Sequence, residues 1–204
     1  MSSRTLFASC AGLIALLLVA ATATWSGVAS SRYIPEVAAE PLPQGADNAE
    51  LLRIFKQVEE DCACAEGRQT PIGAYVTCMD CRVDVGQVLG SFDKKFSRTH
   101  MAGCVLSEEV IESLRLTVLK HDVRVILVLD HTDCAVRTLA EQPTDWRFER
   151  LQRGRKQFAQ RLEQIVNDKM LRDFFQSGRL VMVHAEVDIK NRHAVKIIRK
   201  FGMR

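Results

Sequence analysis

The sequence is poor in the residues that would make it something other than a folded domain. Proline and glycine number 5 and 11 among 204 residues, too few for collagen or a low-complexity disordered chain. It also lacks a charge excess, since 28 Lys and Arg stand against 25 Asp and Glu, a formal balance of +3. That balance points to no nucleic-acid partner. No internal repeat is present. Cysteine is plentiful at 7, but the odd number excludes a fully closed intramolecular disulfide set. At least one thiol is free, a ligand or bonded to another chain.

A further absence is local. No Asp, Glu, Lys or Arg occurs from Thr5 to Ser31, and the densest apolar part is Ala11 to Ala23, after a positive start at the amino terminus and Arg4. Residues 1–31 therefore read either as a secretory signal, with small-residue sites at Ala21-Thr22-Ala23 or Val28-Ala29-Ser30, or as a membrane anchor. For the anchor, Leu6 to Trp25 matches the ~20 residues that span a hydrocarbon core. Either reading predicts an extracytoplasmic (periplasmic or secreted) or membrane-anchored protein. Pro35, Pro41, Pro43 and Gly45 make 32–48 an extended linker. Residues 49–204 are long enough for one domain with a real core.

Hydrophobic periodicity in that domain alternates between helix and strand. Asp47 or Asn48 can cap a helix whose apolar face is Leu51, Leu52, Ile54, Phe55 and Val58. Ala74 to Cys78 is short and β-rich. Ser107, Glu108 and Glu109 open a helix with Val110, Ile111, Leu114, Val118 and Leu119 on one face. Val123 to Leu129 is a nearly continuous apolar run, as in the middle of a parallel sheet. Trp146 to Phe175 predicts one or two amphipathic helices, with Arg147 to Arg161 as a solvated face. Leu180 to Val187 is another strand, and a turn at 188–192 leads back into Ala194 to Ile198. The predicted fold class is α/β, a mostly parallel sheet flanked by helices.

In such sheets ligands bind beyond the carboxyl ends of the strands, where the strand order reverses. The two clearest strands end in Cys78-Met79-Asp80-Cys81-Arg82 and in His131-Thr132-Asp133-Cys134. Cys78, His131 and Cys134 make a Cys2His set that suits zinc, and three ligands leave the fourth position open, as catalytic zinc sites do. Two rivals stand beside this. The residues can be buried free cysteines with a surface histidine, or Cys78 and Cys81 can be a CxxC redox pair.

From about Gly73 to Ile198 the chain resembles the β-class carbonic anhydrases, most closely the small, short-loop members. The resemblance rests on TCMDCRVD, HMAG followed by SEEVIESL, VRVILVLDHTDC, and the closing VMVHAEVDIKNRHAVKI. It implies Zn2+ held by Cys78, His131 and Cys134, and reversible hydration of carbon dioxide to bicarbonate. Zinc acidifies bound water for such chemistry, less so beside two charge-cancelling thiolates than beside three histidines, so activity should rise toward alkaline pH. The resemblance further implies Asp80 and Arg82 as the catalytic dyad, the bidentate guanidinium keeping the carboxylate ionised. In the family, Asp80 released from Arg82 can itself close the metal site. It also implies dimers or multiples of dimers, with a helix such as 49–61 packed on the neighbour.

The chain departs from the family pattern at His100-Met101, where Arg-Asn is usual, at Ala135, where Gly is usual, and at Cys81, where a small residue is usual. The expected consequences are an altered sheet or subunit contact at His100 and backbone strain or a narrowed approach at Ala135. Two alternative functions follow: a carbonyl sulfide or carbon disulfide hydrolase on the same fold, or a weakly active, zinc-stabilised bicarbonate-binding module. His100, His121, His184 and His193 are proton-relay candidates whose default is an ordinary surface or core role. Cys104 is expected to be buried, and Cys62 and Cys64 have no assigned role.

Overall fold

A computed structural model describes residues 47–62, 71–191 and 193–202, all within the compact unit Pro41–Arg204. The signal or anchor expected at 1–31, nearly all of the linker, and Cys10 and Cys64 lie outside the described residues. Among the described residues no helix is long and apolar enough to cross a membrane.

The sheet comprises β1 (Gly73–Cys78), β2 (Phe96–Met101), β3 (Val125–His131), β4 (Val181–Asp188) and β5 (Ala194–Phe201), in the order β2-β1-β3-β4-β5. The first four are mutually parallel, and β5 returns antiparallel to β4. Every residue of β1 and β3 is buried, which explains why both read as continuous apolar runs instead of alternating ones. The chain moves from β1 outward to β2 and then crosses back to β3, so the strand order reverses between β1 and β3. That reversal places the ends of TC and DH side by side.

Helices cover both faces: α1 (Asn48–Cys62), α2 (Val85–Leu89), α3 (Glu108–His121), α4 (Ala135–Glu141), α5 (Glu149–Lys156), α6 (Phe158–Val166) and α7 (Arg172–Gln176). The period-two alternation of the strands divides the core. Ala74, Val76, Ile126, Val128 and Met182 pack with α3 and α6 on one face, while Tyr75, Leu127, Leu129, Val183 and Val187 pack with α1 and α2 on the other. Ser107 caps α3 as expected, its hydroxyl accepting from the Val110 N–H at 3.4 Å.

Several expectations change. The Asp47 and Asn48 side chains reach the last strand. They accept from the Ile197 and Val195 N–H groups at 2.7 and 2.8 Å, tying the helix start to β5. The apolar face of α1 (Leu51, Ile54, Phe55, Val58) is buried within its own chain. Trp146 to Phe175 breaks into three helices, one break lying at Asp168, whose carboxylate accepts from Met170 and Leu171 N–H and so competes with helical bonding. Strand β2 carries no apolar run in the sequence because FSRTHM occupies a sheet edge and buries only Phe96 fully.

Candidate metal centre

Cys78 is the last residue of β1, His131 is the last of β3, and Cys134 immediately precedes α4. Each lies where the strand-end reading placed it. All three side chains are buried, and their ligand atoms lie within 4.8 Å of one another. The sheet delivers two of them directly, and the tight turn 132–134 swings the third back. Asp133 takes the left-handed conformation, φ 58°, to make that turn. Ala135 is not among the described residues with positive φ and begins α4, so the backbone strain expected there lies at Asp133 instead.

The donors are prepared for a cation. His131 Nδ1 lies 2.7 Å from the Thr132 carbonyl, which as acceptor leaves the lone pair on Nε2. Nε2 is buried without a hydrogen-bond partner, the expected state of a ligand atom lacking its metal. The Gly103 N–H donates to Cys78 Sγ at 3.3 Å. The hydrogen bond between the Cys134 and Cys78 sulfurs lowers the pKa of Cys78 to about 6 against the effect of burial and, together with burial, raises that of Cys134 to about 11. One thiolate therefore forms easily. Burial works against charge on His131, yet the Cys134 sulfur and the Thr132 carbonyl outweigh it and raise its pKa. Two soft sulfurs and one imidazole fit zinc.

Asp80 lies in the turn after Cys78, its Oδ2 4.0 Å from His131 Nε2. Arg82 holds it with a fork: Nε donates to Oδ1 at 3.0 Å, Nη2 to Oδ2 at 2.7 Å, and the Arg82 N–H adds a bond to Oδ1 at 3.0 Å. These bonds keep the carboxyl well below the ordinary range and raise Arg82. The free side of Arg82 reaches Asp133, Nη1 to Oδ2 at 3.2 Å. Arg82 thus spans the two motifs, a link that spacing alone did not disclose.

The other candidates separate. Cys81 is exposed and Cys104 is buried, both as free thiols; Cys104 donates to the Val76 carbonyl at 3.3 Å. His100 is exposed on β2 and meets Tyr75 edge-on. His193 Nε2 lies 3.1 Å from the Asp84 amide and 3.0 Å from the Arg82 carbonyl, against the turn that carries Asp80 and Arg82. Arg147 and Arg153 are solvated and paired with Asp145 and Glu149, but Arg155 is inside, corrected from the solvated face. It pairs with Asp130. Asp130, a charge within an apolar strand, is the signal that a buried cation had to be present.

His184 sits edge-on to Phe158 with centroids 5.1 Å apart, its Nε2 buried and unpartnered. Burial lowers its pKa, with Asp130 and Glu186 opposing and Arg155 and Arg199 assisting. Between that lowered value and the ordinary value of about 6.5, the unfolded chain binds more protons than the folded one. Stability therefore rises with pH across this window and is lost as pH falls through it. Denaturant melts from about pH 7 down to about pH 5 should show this slope, and His184→Gln should flatten it; an unchanged slope assigns the effect elsewhere.

No family model matches the chain. The β-carbonic anhydrase 1 proteins of Mycobacterium bovis and Mycobacterium tuberculosis are 38% identical over 68 residues, 33% of this chain and 42% of theirs. The chain thus matches less than half the length of these curated relatives. Among solved structures, the Coccomyxa β-carbonic anhydrase in complex with acetazolamide superposes with TM-score 0.53 at 16% identity, covering 76% of this chain and 88% of that one. The chain has the β-carbonic anhydrase fold. The β-carbonic anhydrase CafA of Aspergillus fumigatus agrees, with TM-score 0.52 at 14% identity over 78% of this chain and 89% of its own.

Proposed function

We propose that this protein is a zinc lyase interconverting carbon dioxide and bicarbonate, with Cys78, His131 and Cys134 holding the ion and Asp80 and Arg82 acting as the dyad. One observation carries the reading: an ionised carboxylate, locked by a forked guanidinium, stands 4.0 Å from the unpartnered nitrogen of a buried Cys-His-Cys cluster. Similarity to β-carbonic anhydrases in sequence and fold supports it. Zinc, when bound, supplies a Lewis acid that makes water nucleophilic near neutral pH.

The chain's own residues supply orientation. Ionised Asp80 only accepts hydrogen bonds, so a hydroxyl beside it must point its proton at the carboxylate and its lone pair elsewhere. Arg82 keeps Asp80 still, and Asp133 keeps Arg82 still from the second loop. Stopped-flow hydration by the zinc-loaded protein, beside its Asp80→Asn variant, tests the reading. Equal near-background rates in both reject it.

Two further parts of the reading are assembly and location. The protein is read as a dimer or a multiple of dimers, supported by β2 standing at the edge of the sheet. Its amino-terminal apolar segment supports an extracytoplasmic or membrane-anchored location. Amino-terminal sequencing of the mature protein is expected to distinguish the two: a start near residue 24 or 31 means a cleaved signal, and an intact Met1 end means an anchor.

A further inference from the structure

Helix α5 carries Arg155 into the space behind both ligand loops. Its side chain is 10% exposed and pairs with Asp130, which is 4% exposed. Asp130 Oδ1 in turn accepts the His131 N–H at 3.0 Å. On the other side, Arg155 Nη1 donates to the Gly103 carbonyl at 3.3 Å, and the Gly103 N–H is the donor to Cys78 Sγ. A single guanidinium thus touches the residue that orients each ligand strand end.

The neighbouring residues of α5 hold it at this depth. Gln152 is buried, its amide donating to the Leu139 and Pro143 carbonyls at 2.9 and 3.1 Å and its oxygen accepting the Asp145 N–H at 2.9 Å. Gly154 lies so close to Val105 that a Cβ there would stand 2.4 Å from Val105 Cγ1. The Arg155 guanidinium also lies over the Phe158 ring at 4.4 Å. The Arg155 side chain is thus held mostly away from solvent.

We propose that Arg155 is a positioning residue for the metal centre, joining the Cys78 side to the His131 side through Gly103 and Asp130. The inference rests on the zinc reading for its consequence, but the clamp is a property of the chain itself. A lysine can pair with Asp130 but lacks the planar fork that reaches Gly103 at the same time. Arg155→Lys should therefore fold yet loosen the Cys78 side.

The test uses the full chain as wild type, Arg155→Lys, Arg155→Gln and, as a surface control on the same helix, Arg150→Gln. In the metal-free proteins, amide hydrogen exchange is read at Gly103 and His131. Arg155→Lys is expected to exchange at least about tenfold faster at Gly103 than wild type, with His131 less affected, while Arg155→Gln accelerates both. In chelator competition, zinc affinity should fall about 10- to 100-fold in the Arg155 variants, the range typical of residues that orient ligands, and stay unchanged in Arg150→Gln. The Co2+-substituted thiolate bands should shift in Arg155→Lys. Unaltered Gly103 exchange together with unaltered zinc affinity in Arg155→Lys overturns the proposal, even if Arg155→Gln does not fold. Accelerated exchange in a protein whose wild type retains no zinc leaves the clamp standing and removes the metal reading.

Discussion

Asp80→Asn is expected to lower the hydration rate of the zinc-loaded protein by about 10²- to 10⁴-fold, the usual loss when a positioned proton-handling group is disabled. The substitution keeps size and shape. It replaces an oxygen that accepts from the Arg82 fork by an amide NH2 that faces a donor, so the bond at 2.7 Å becomes a clash of donors. Asparagine can also donate toward the attacking group, which removes the restriction on where that group points its proton. Both losses act on orientation, so zinc content should remain near the wild-type value.

An alternative explanation for the same pair is an ordinary surface ion bridge, since Arg82 is half exposed. Such bridges are worth about 0–1 kcal/mol, and their removal would leave the rate nearly untouched. Asp133→Asn separates the cases further. The Asp133 carboxylate steadies the outer side of Arg82 and also meets Lys190, and asparagine tolerates the left-handed φ of this turn, so loss of that carboxylate should cost less than tenfold while Asp80→Asn costs far more. Equal small losses in both variants would return the dyad to the status of a surface pair.

The sequence made the three proposed ligands legible because their chemistry coincides with strand ends. Two apolar runs, each stopping at a thiol or imidazole, need only be adjacent and parallel to bring Cys78 and His131 together, and α/β alternation predicts that adjacency. What supports those residues was not legible. Gly103 acts through a backbone N–H and Thr132 through a carbonyl, groups that every residue possesses. Arg155 is one of several arginines in a charged helix, and which of them turns inward depends on Gly154 and Gln152 packing, a tertiary fact. Asp130 was the clue in plain view, since an acid inside an otherwise apolar strand needs a buried partner. The β2 strand was missed for a related reason: an edge strand with exposed Arg98 and His100 shows no long apolar run.

Gly103→Ala should be strongly destabilising and should also disturb the metal centre. Gly103 has φ 63°, where a Cβ costs about 1–2 kcal/mol, and the added methyl would stand 2.4 Å from Val136 Cβ. Val136 belongs to α4, the helix that starts directly after Cys134. Relief therefore pushes either the Gly103 peptide off Cys78 or the Cys134 turn off the cluster. Overpacking of this kind adds about 1–3 kcal/mol, for a total of about 2–5 kcal/mol. For a domain of this size that corresponds to a fall in Tm of roughly 4–20 °C, accompanied by weaker zinc retention because the Gly103 N–H to Cys78 Sγ bond is disturbed. Gly86→Ala is the control, since Gly86 has no φ strain and a Cβ there meets only the Asp84 side chain, at 3.1 Å, inside a helix that favours alanine. Differential scanning calorimetry with chelator competition on both variants measures the two effects; a Gly103→Ala protein that melts and holds zinc like Gly86→Ala would mean that the 102–104 turn does not position Cys78.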